Sequence, residues 1–178
     1  MLEGVKGLLF DYGGTLDTDG RHWAHVLWEA YQQAKIPVGH EQFREAYVYG
    51  ERTLAKAPIV VPTDTFRDVL LKKVPLQFDC LRQQQLWCPT ENELQEALRT
   101  VVVYAYEYAR RHTMKSGAVL KRLKERYPMV LVSNFYGNVE AVLRDFGFDG
   151  YFDSVVESAV VGVRKPDPAI YQMGVERL

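Results

Sequence analysis

Apolar and polar positions along the chain follow two different rhythms. Near the start, Val5-Lys6-Gly7-Leu8-Leu9-Phe10 is a short apolar run that stops at Asp11 and passes into Tyr12-Gly13-Gly14-Thr15-Leu16-Asp17. A run of that length, closed by a glycine turn, predicts a buried strand. Trp23 to Lys35 switches to helical spacing, with Val26, Leu27, Ala30, Tyr31 and Ala34 on one face. Glu41 to Ala55, Thr65 to Lys73 and Glu91 to Arg110 are predicted as further helices. Breaks fall at Pro37-Val38-Gly39, Pro58 to Pro62, Pro75 and Pro89. Thr90-Glu91-Asn92-Glu93 has the form of a capping box and marks a helix start. After Thr113 helices and strands alternate: Lys115 to Arg126 as helix, Met129 to Val132 as strand, Val139 to Phe146 as helix, Ser154 to Glu157 as strand, and Pro168 to Leu178 as helix. Alternation of this kind predicts an α/β fold with a parallel sheet and crossover helices. The first strand then joins that sheet across an all-helical insertion.

Asp11 leaves its predicted strand where an open α/β sheet carries its chemistry. On this segment alone, an ordinary strand followed by a turn reads the same way. Further along, Met129-Val130-Leu131-Val132 delivers Ser133-Asn134, and Val160-Val161-Gly162-Val163-Arg164 delivers Lys165-Pro166-Asp167-Pro168. Acid, hydroxyl and amine thus appear in order after successive elements of one predicted sheet.

These three stations resemble the haloacid dehalogenase superfamily, whose motifs are Asp-x-Asp-Gly-Thr, a strand ending in Ser or Thr, and a Lys often followed by Pro. The resemblance implies a Rossmann-like core from residues 1–17 and 114–178, with residues 18–113 as a helical cap. It implies a hydrolase, of the phosphatase kind, that attacks a small phosphorylated metabolite with Asp11 and passes through a phospho-aspartate. Ser133, the Asn134 N–H and Lys165 would then bind the phosphoryl group, and Lys165 would also neutralise Asp11. Mg²⁺ is the implied cofactor, with the Asp11 carboxylate and the Gly13 carbonyl as ligands. The turn glycines Gly13 and Gly14 are expected to point their N–H groups at a phosphoryl oxygen. The family continues past the helix at Pro168 into a strand bearing acidic metal ligands, so a chain ending at Leu178 is expected to be a piece of a longer protein. One departure stands out: Gly13 occupies the place where most phosphatases of the family carry a second Asp, their general acid and base. That opens an alternative, a protein of this fold that binds a phosphorylated ligand or partner without turning it over.

Composition narrows the classes. The 178 residues are 47% hydrophobic, with a net charge of −1 and a pI of about 6.4. That balance offers no basic footprint for nucleic acid or an anionic membrane. No apolar stretch reaches bilayer length and no secretory leader is evident, so a soluble, cytoplasmic chain is expected. Cys80 and Cys88 are expected as reduced thiols, and the four histidines lack a compact metal-ligand spacing. Arg21, His22 and Trp23, at the cap entrance, are candidates for contact with the substrate leaving group. Asp17 and Asp19 are read as solvated linker residues, and Asp167 as helix-entry chemistry. Tyr104, Tyr108 and His112, four apart, form a stripe expected to pack in the cap.

Overall fold

The computed structural model describes residues 4–178; residues 1–3, counted above in the core segment and in the reading of the N-terminus, lie outside the described residues. Strands β1 (Leu8–Phe10), β2 (Met129–Ser133) and β3 (Ser154–Glu157) form a parallel sheet in the order β1-β2-β3. Leu8 pairs with Met129 and Val130 with Ser154, so β2 lies in the middle and is buried at every position. The pleat divides its side chains between two cores. Met129 and Leu131 enter a large cluster shared with the helical segment, while Val130 and Val132 face Val156 and Ile170. Ile170 comes from helix α7 (Pro168–Glu176) on the second face. There Gly174 brings the helix so near that a Cβ would sit 2.6 Å from a Val132 methyl.

Between β1 and β2 run α1 (Trp23–Gln33), α2 (His40–Lys56), α3 (Phe66–Gln83) and α4 (Glu91–Lys124). The Thr90 hydroxyl accepts from the Glu93 N–H while the Glu93 carboxylate accepts from Thr90, the expected capping box. Two predicted breaks are absent. Pro75 lies inside α3, because both halves of that helix bury a face: Val69, Leu70 and Val74 on one side, Gln77, Phe78 and Leu81 on the other. The carbonyl that loses its partner belongs to Leu71, an exposed residue within reach of water. The predicted helices either side of Thr113 are one helix, since Thr113 is buried and its hydroxyl bonds back to the Ala109 carbonyl at 2.9 Å. Helix α4 therefore crosses the expected boundary at residues 113 and 114 without interruption.

After β2 come α5 (Val139–Asp145), β3, and a single short helix, α6 (Ser158–Val161). Lys165 thus follows a helical turn, not a strand. Cys80 and Cys88 are free thiols, the first buried in α3. No helix among the described residues is long and apolar enough to cross a membrane.

The helical segment is fastened to the loop after β2 by a charged group. Lys73 donates to Glu51 at 2.7 Å, the Tyr136 hydroxyl donates to the other Glu51 oxygen at 2.5 Å, and the Lys73 ammonium lies 5.1 Å from the Tyr136 ring centre. Burial opposes the charge on Lys73, but the facing Glu51 carboxylate outweighs it and holds the amine above the usual lysine pKa. Lys73→Ala would leave Glu51 largely buried without its cation. Because the Glu51 side chain keeps 29% exposure, the expected cost is at the lower end for a broken buried pair, about 3 kcal/mol by urea unfolding. A change below about 1 kcal/mol would show that water replaces the lysine.

Candidate active site

Parallel pairing of β1 with β2 sets their C-terminal ends side by side, which brings residues 11 and 133 together. The Ser133 hydroxyl donates to Asp11 Oδ1 at 3.4 Å, the Lys165 ammonium lies 2.5 Å from the same oxygen, and the Tyr12 N–H donates to it at 2.8 Å. Among the described residues, Asp11 Oδ2 has only a long 3.5 Å contact from the Thr15 hydroxyl. One oxygen is therefore tied down, and the other is left to attack an electrophile. Asp11 keeps 38% of its side-chain surface exposed, while Lys165 keeps 16% and Ser133 none. The three predicted catalytic residues converge, with Ser133 turned toward Asp11 from below.

Asn134 has a role that its place after a strand did not disclose. Its side-chain oxygen accepts from the Lys165 N–H at 2.8 Å, and its amide nitrogen donates to the Lys165 carbonyl at 3.1 Å. This pair of hydrogen bonds fixes the backbone at Lys165, far along the chain, and so sets where its ammonium can reach.

The glycine turn divides the work unequally. Gly14 takes a left-handed φ of 83°, which glycine adopts without strain, whereas Gly13 is not in that region. The Gly13 N–H has no hydrogen-bond partner among the described residues and is free to meet an anion. The Gly14 N–H, expected to face a phosphoryl oxygen, instead donates to Asp17 at 2.7 Å.

Asp17 is the largest correction. Far from being solvated, it has no exposed surface; its second oxygen accepts from the Trp23 indole N–H at 2.8 Å. Burial raises its pKa to about 7, against the lowering effect of the Trp23 and Gly14 bonds, and the nearby Asp11 charge adds to the rise. The sign of the linkage follows. Folded Asp17 keeps its proton to about pH 7 and unfolded Asp17 only to about 3.8, so its contribution to stability is full below that value and lost as pH rises through 7. Asp17→Asn cannot ionise, so its stability relative to the parent chain should rise by up to about 4 kcal/mol between about pH 4 and 8 in urea titrations. A pH-independent difference would contradict the raised pKa.

The cap-entrance candidates are occupied within the protein. Arg21 pairs with Glu29 at 2.7 Å and donates to the Tyr108 hydroxyl at 3.3 Å. The His22 ring nitrogen caps α1 by accepting from the Ala24 N–H, and Trp23 packs at a tilt against Phe66 besides holding Asp17. Of the three side chains, Trp23 bonds to the segment after the glycine turn, through Asp17. Asp19 is exposed and left-handed, with φ 60°. Asp167 caps α7, as expected. Tyr108 is buried between Tyr104 and His112, the stripe the spacing predicted.

No group of three or more His, Cys, Asp or Glu side chains among the described residues could hold a metal ion. The donors that the resemblance assigns are hard oxygens, the Asp11 carboxylate, open at Oδ2, and the Gly13 carbonyl. Such a set suits Mg²⁺, which one or two carboxylates can hold when substrate phosphate and water complete its shell.

A dehalogenase crystal structure aligns over 99% of this chain and 73% of its own, with 18% identity and a TM-score of 0.56. A dehalogenase with an intermediate complex gives 17% identity and 0.58 over the same shares. An L-2-haloacid dehalogenase gives 22% and 0.50, over 97% of this chain and 72% of its own. No curated protein matches the chain. The model of the haloacid dehalogenase-like hydrolases matches residues 5–178, nearly the whole sequence and every station of the site. With the acid and hydroxyl at the ends of adjacent parallel strands and the amine brought against the acid from the segment after α6, the chain belongs to the haloacid dehalogenase-like hydrolase family.

Proposed function

We propose that this hydrolase is a phosphatase acting on a small phosphorylated metabolite, with Asp11 as nucleophile and residues 18–113 as the cap over the site. The observation that supports this most is the asymmetric Asp11 carboxylate, with Oδ1 held by Lys165 and Ser133 and Oδ2 open. Asp11 Oδ2 gives its electron pair to phosphorus, and the bond from phosphorus to the ester oxygen breaks as the new one forms. The leaving alkoxide takes a proton from water, because Gly13 has none to give. Water then attacks the phospho-aspartate, releasing phosphate and returning the free carboxylate. Lys165 balances the anionic charge, and the free Gly13 N–H donates to a phosphoryl oxygen. Mg²⁺, held by Asp11 and the Gly13 carbonyl, would supply charge neutralisation between the carboxylate and the phosphoryl group.

Gly13 also supports a second reading, a fold that binds a phosphorylated ligand without turnover. Halide displacement is less favoured. That branch carries Tyr two positions after the nucleophile, and here Tyr12 is one position early, fully buried and packed edge-on against Phe135. The test is release of phosphate from acetyl phosphate and p-nitrophenyl phosphate, with and without Mg²⁺, beside release of chloride from 2-chloropropionate. Mg²⁺-dependent phosphate release is expected. Chloride release without metal would assign the dehalogenase reaction, and saturable phosphate binding without turnover would assign the binder.

A further inference from the structure

A cavity of about 640 Å³ opens between the C-terminal end of α2, the loop after β2 and the segment leading from α6 to Lys165. It shares Asn134 with the catalytic site, and its wall includes Arg164, the neighbour of Lys165. Its lining cations are Arg52, Lys56 and Arg164, all exposed, and none has an ion pair or hydrogen bond from its side chain among the described residues. The carboxylate that lines the cavity, Glu51, is already engaged by Lys73 and the Tyr136 hydroxyl. The cavity's charge is therefore positive and unspent. Lys56 has a simpler account, since a cation in the last turn of α2 complements the helix dipole. Arg52 and Arg164 have no such explanation. One belongs to the helical segment and the other to the segment before Lys165, and both guanidinium groups suit an oxyanion.

Resting on the phosphatase reading of the neighbouring site, we propose that this cavity takes a second anionic group, so that the preferred substrate is a phosphate monoester whose alcohol carries a carboxylate or a further phosphate. The phosphoryl group lies against Asp11 and Lys165. The leaving group extends past Asn134 to Arg52 and Arg164. Asn134 serves both ends, holding Lys165 by its backbone while lining the cavity. Cations lining the cavity also concentrate ligands with two anionic groups over ligands with one.

Phosphonates that cannot be hydrolysed separate this proposal from the one on which it rests. Calorimetric titrations of the protein in Mg²⁺ would compare methylphosphonate, 3-phosphonopropionate and propane-1,3-diphosphonate. The two doubly anionic ligands are expected to bind at least about tenfold more tightly than methylphosphonate. In the Arg52→Ala/Arg164→Ala double variant that preference should vanish while methylphosphonate affinity stays the same. Both arginines are exposed, so the variant should fold, and Arg52→Lys should restore part of the preference. Preference for only one doubly anionic ligand would assign the second group as carboxylate or phosphate. Equal binding of all three, or a preference that survives in the double variant, overturns the proposal even if phosphate esters are hydrolysed. Selective binding without turnover of any ester supports the cavity and counts against the phosphatase. No binding of any phosphonate overturns both.

Discussion

Gly13→Asp should raise the rate of hydrolysis of an alkyl phosphate by about 10²–10⁴-fold, the usual worth of a placed general acid and base. The place is ready for it. A Cβ built on Gly13 meets nothing within 4 Å, and the residue is not in the left-handed region that its neighbour Gly14 needs. A carboxylic acid there stands two residues from the proposed nucleophile, Asp11, and can give its proton to the departing alkoxide. The gain should depend on the leaving group. Glycerol phosphate should respond strongly and p-nitrophenyl phosphate weakly, because the nitrophenolate leaves with little need of a proton. Steady-state kinetics on both esters decide the matter: equal gains would mean that the new carboxylate acts by some route other than proton transfer, and no gain on either would mean that proton transfer does not limit turnover. The added charge near Asp11 also carries a cost, so the variant is expected to need more Mg²⁺ for half-maximal rate.

Asp11→Asn should lower phosphate release by at least about 10³-fold, as removal of a covalent nucleophile does in other enzymes. The amide keeps the size of the side chain and one oxygen, yet it has no electron pair suited to attack phosphorus. It also places a neutral group beside the Lys165 ammonium, which lies 2.5 Å from Asp11 in the parent chain. Loss of rate with retained phosphate binding is the expected pattern, read by phosphate release and by calorimetry on the same sample. Equal rates for the two proteins would falsify the phospho-aspartate mechanism.

Much of this arrangement could be read along the chain because it depends on local pattern. Short apolar runs ending in Asp11, Ser133 and Glu157 became the strands, and the alternation after Thr113 marked their parallel pairing. The Thr90 and Glu93 capping box and the Asp167 cap were equally legible, since capping satisfies backbone groups within a few residues. Pro75 misled because its cost is a local one, while the buried faces on both sides of it belong to the packed helix. Asp17 misled for the opposite reason. A carboxylate after a turn is ordinarily solvated, and its burial depends on Trp23 closing over it with an indole N–H in need of an acceptor. That tryptophan, six residues on, was the available signal.

What the sequence by itself determined was the order of chemical groups and most of the elements that carry them: an acid and a hydroxyl, each at the end of a strand-like run, and an amine before a proline. Hydrophobic periodicity and turn chemistry act between near neighbours, so they are written in near neighbours. Tertiary structure alone decided which Asp11 oxygen is free, which glycine N–H is available, that Asn134 holds Lys165, and that Arg52 and Arg164 face one cavity. Each of those depends on atoms that are distant along the chain and brought within a few ångströms by packing, where burial and pairing set charge and hydrogen bonding.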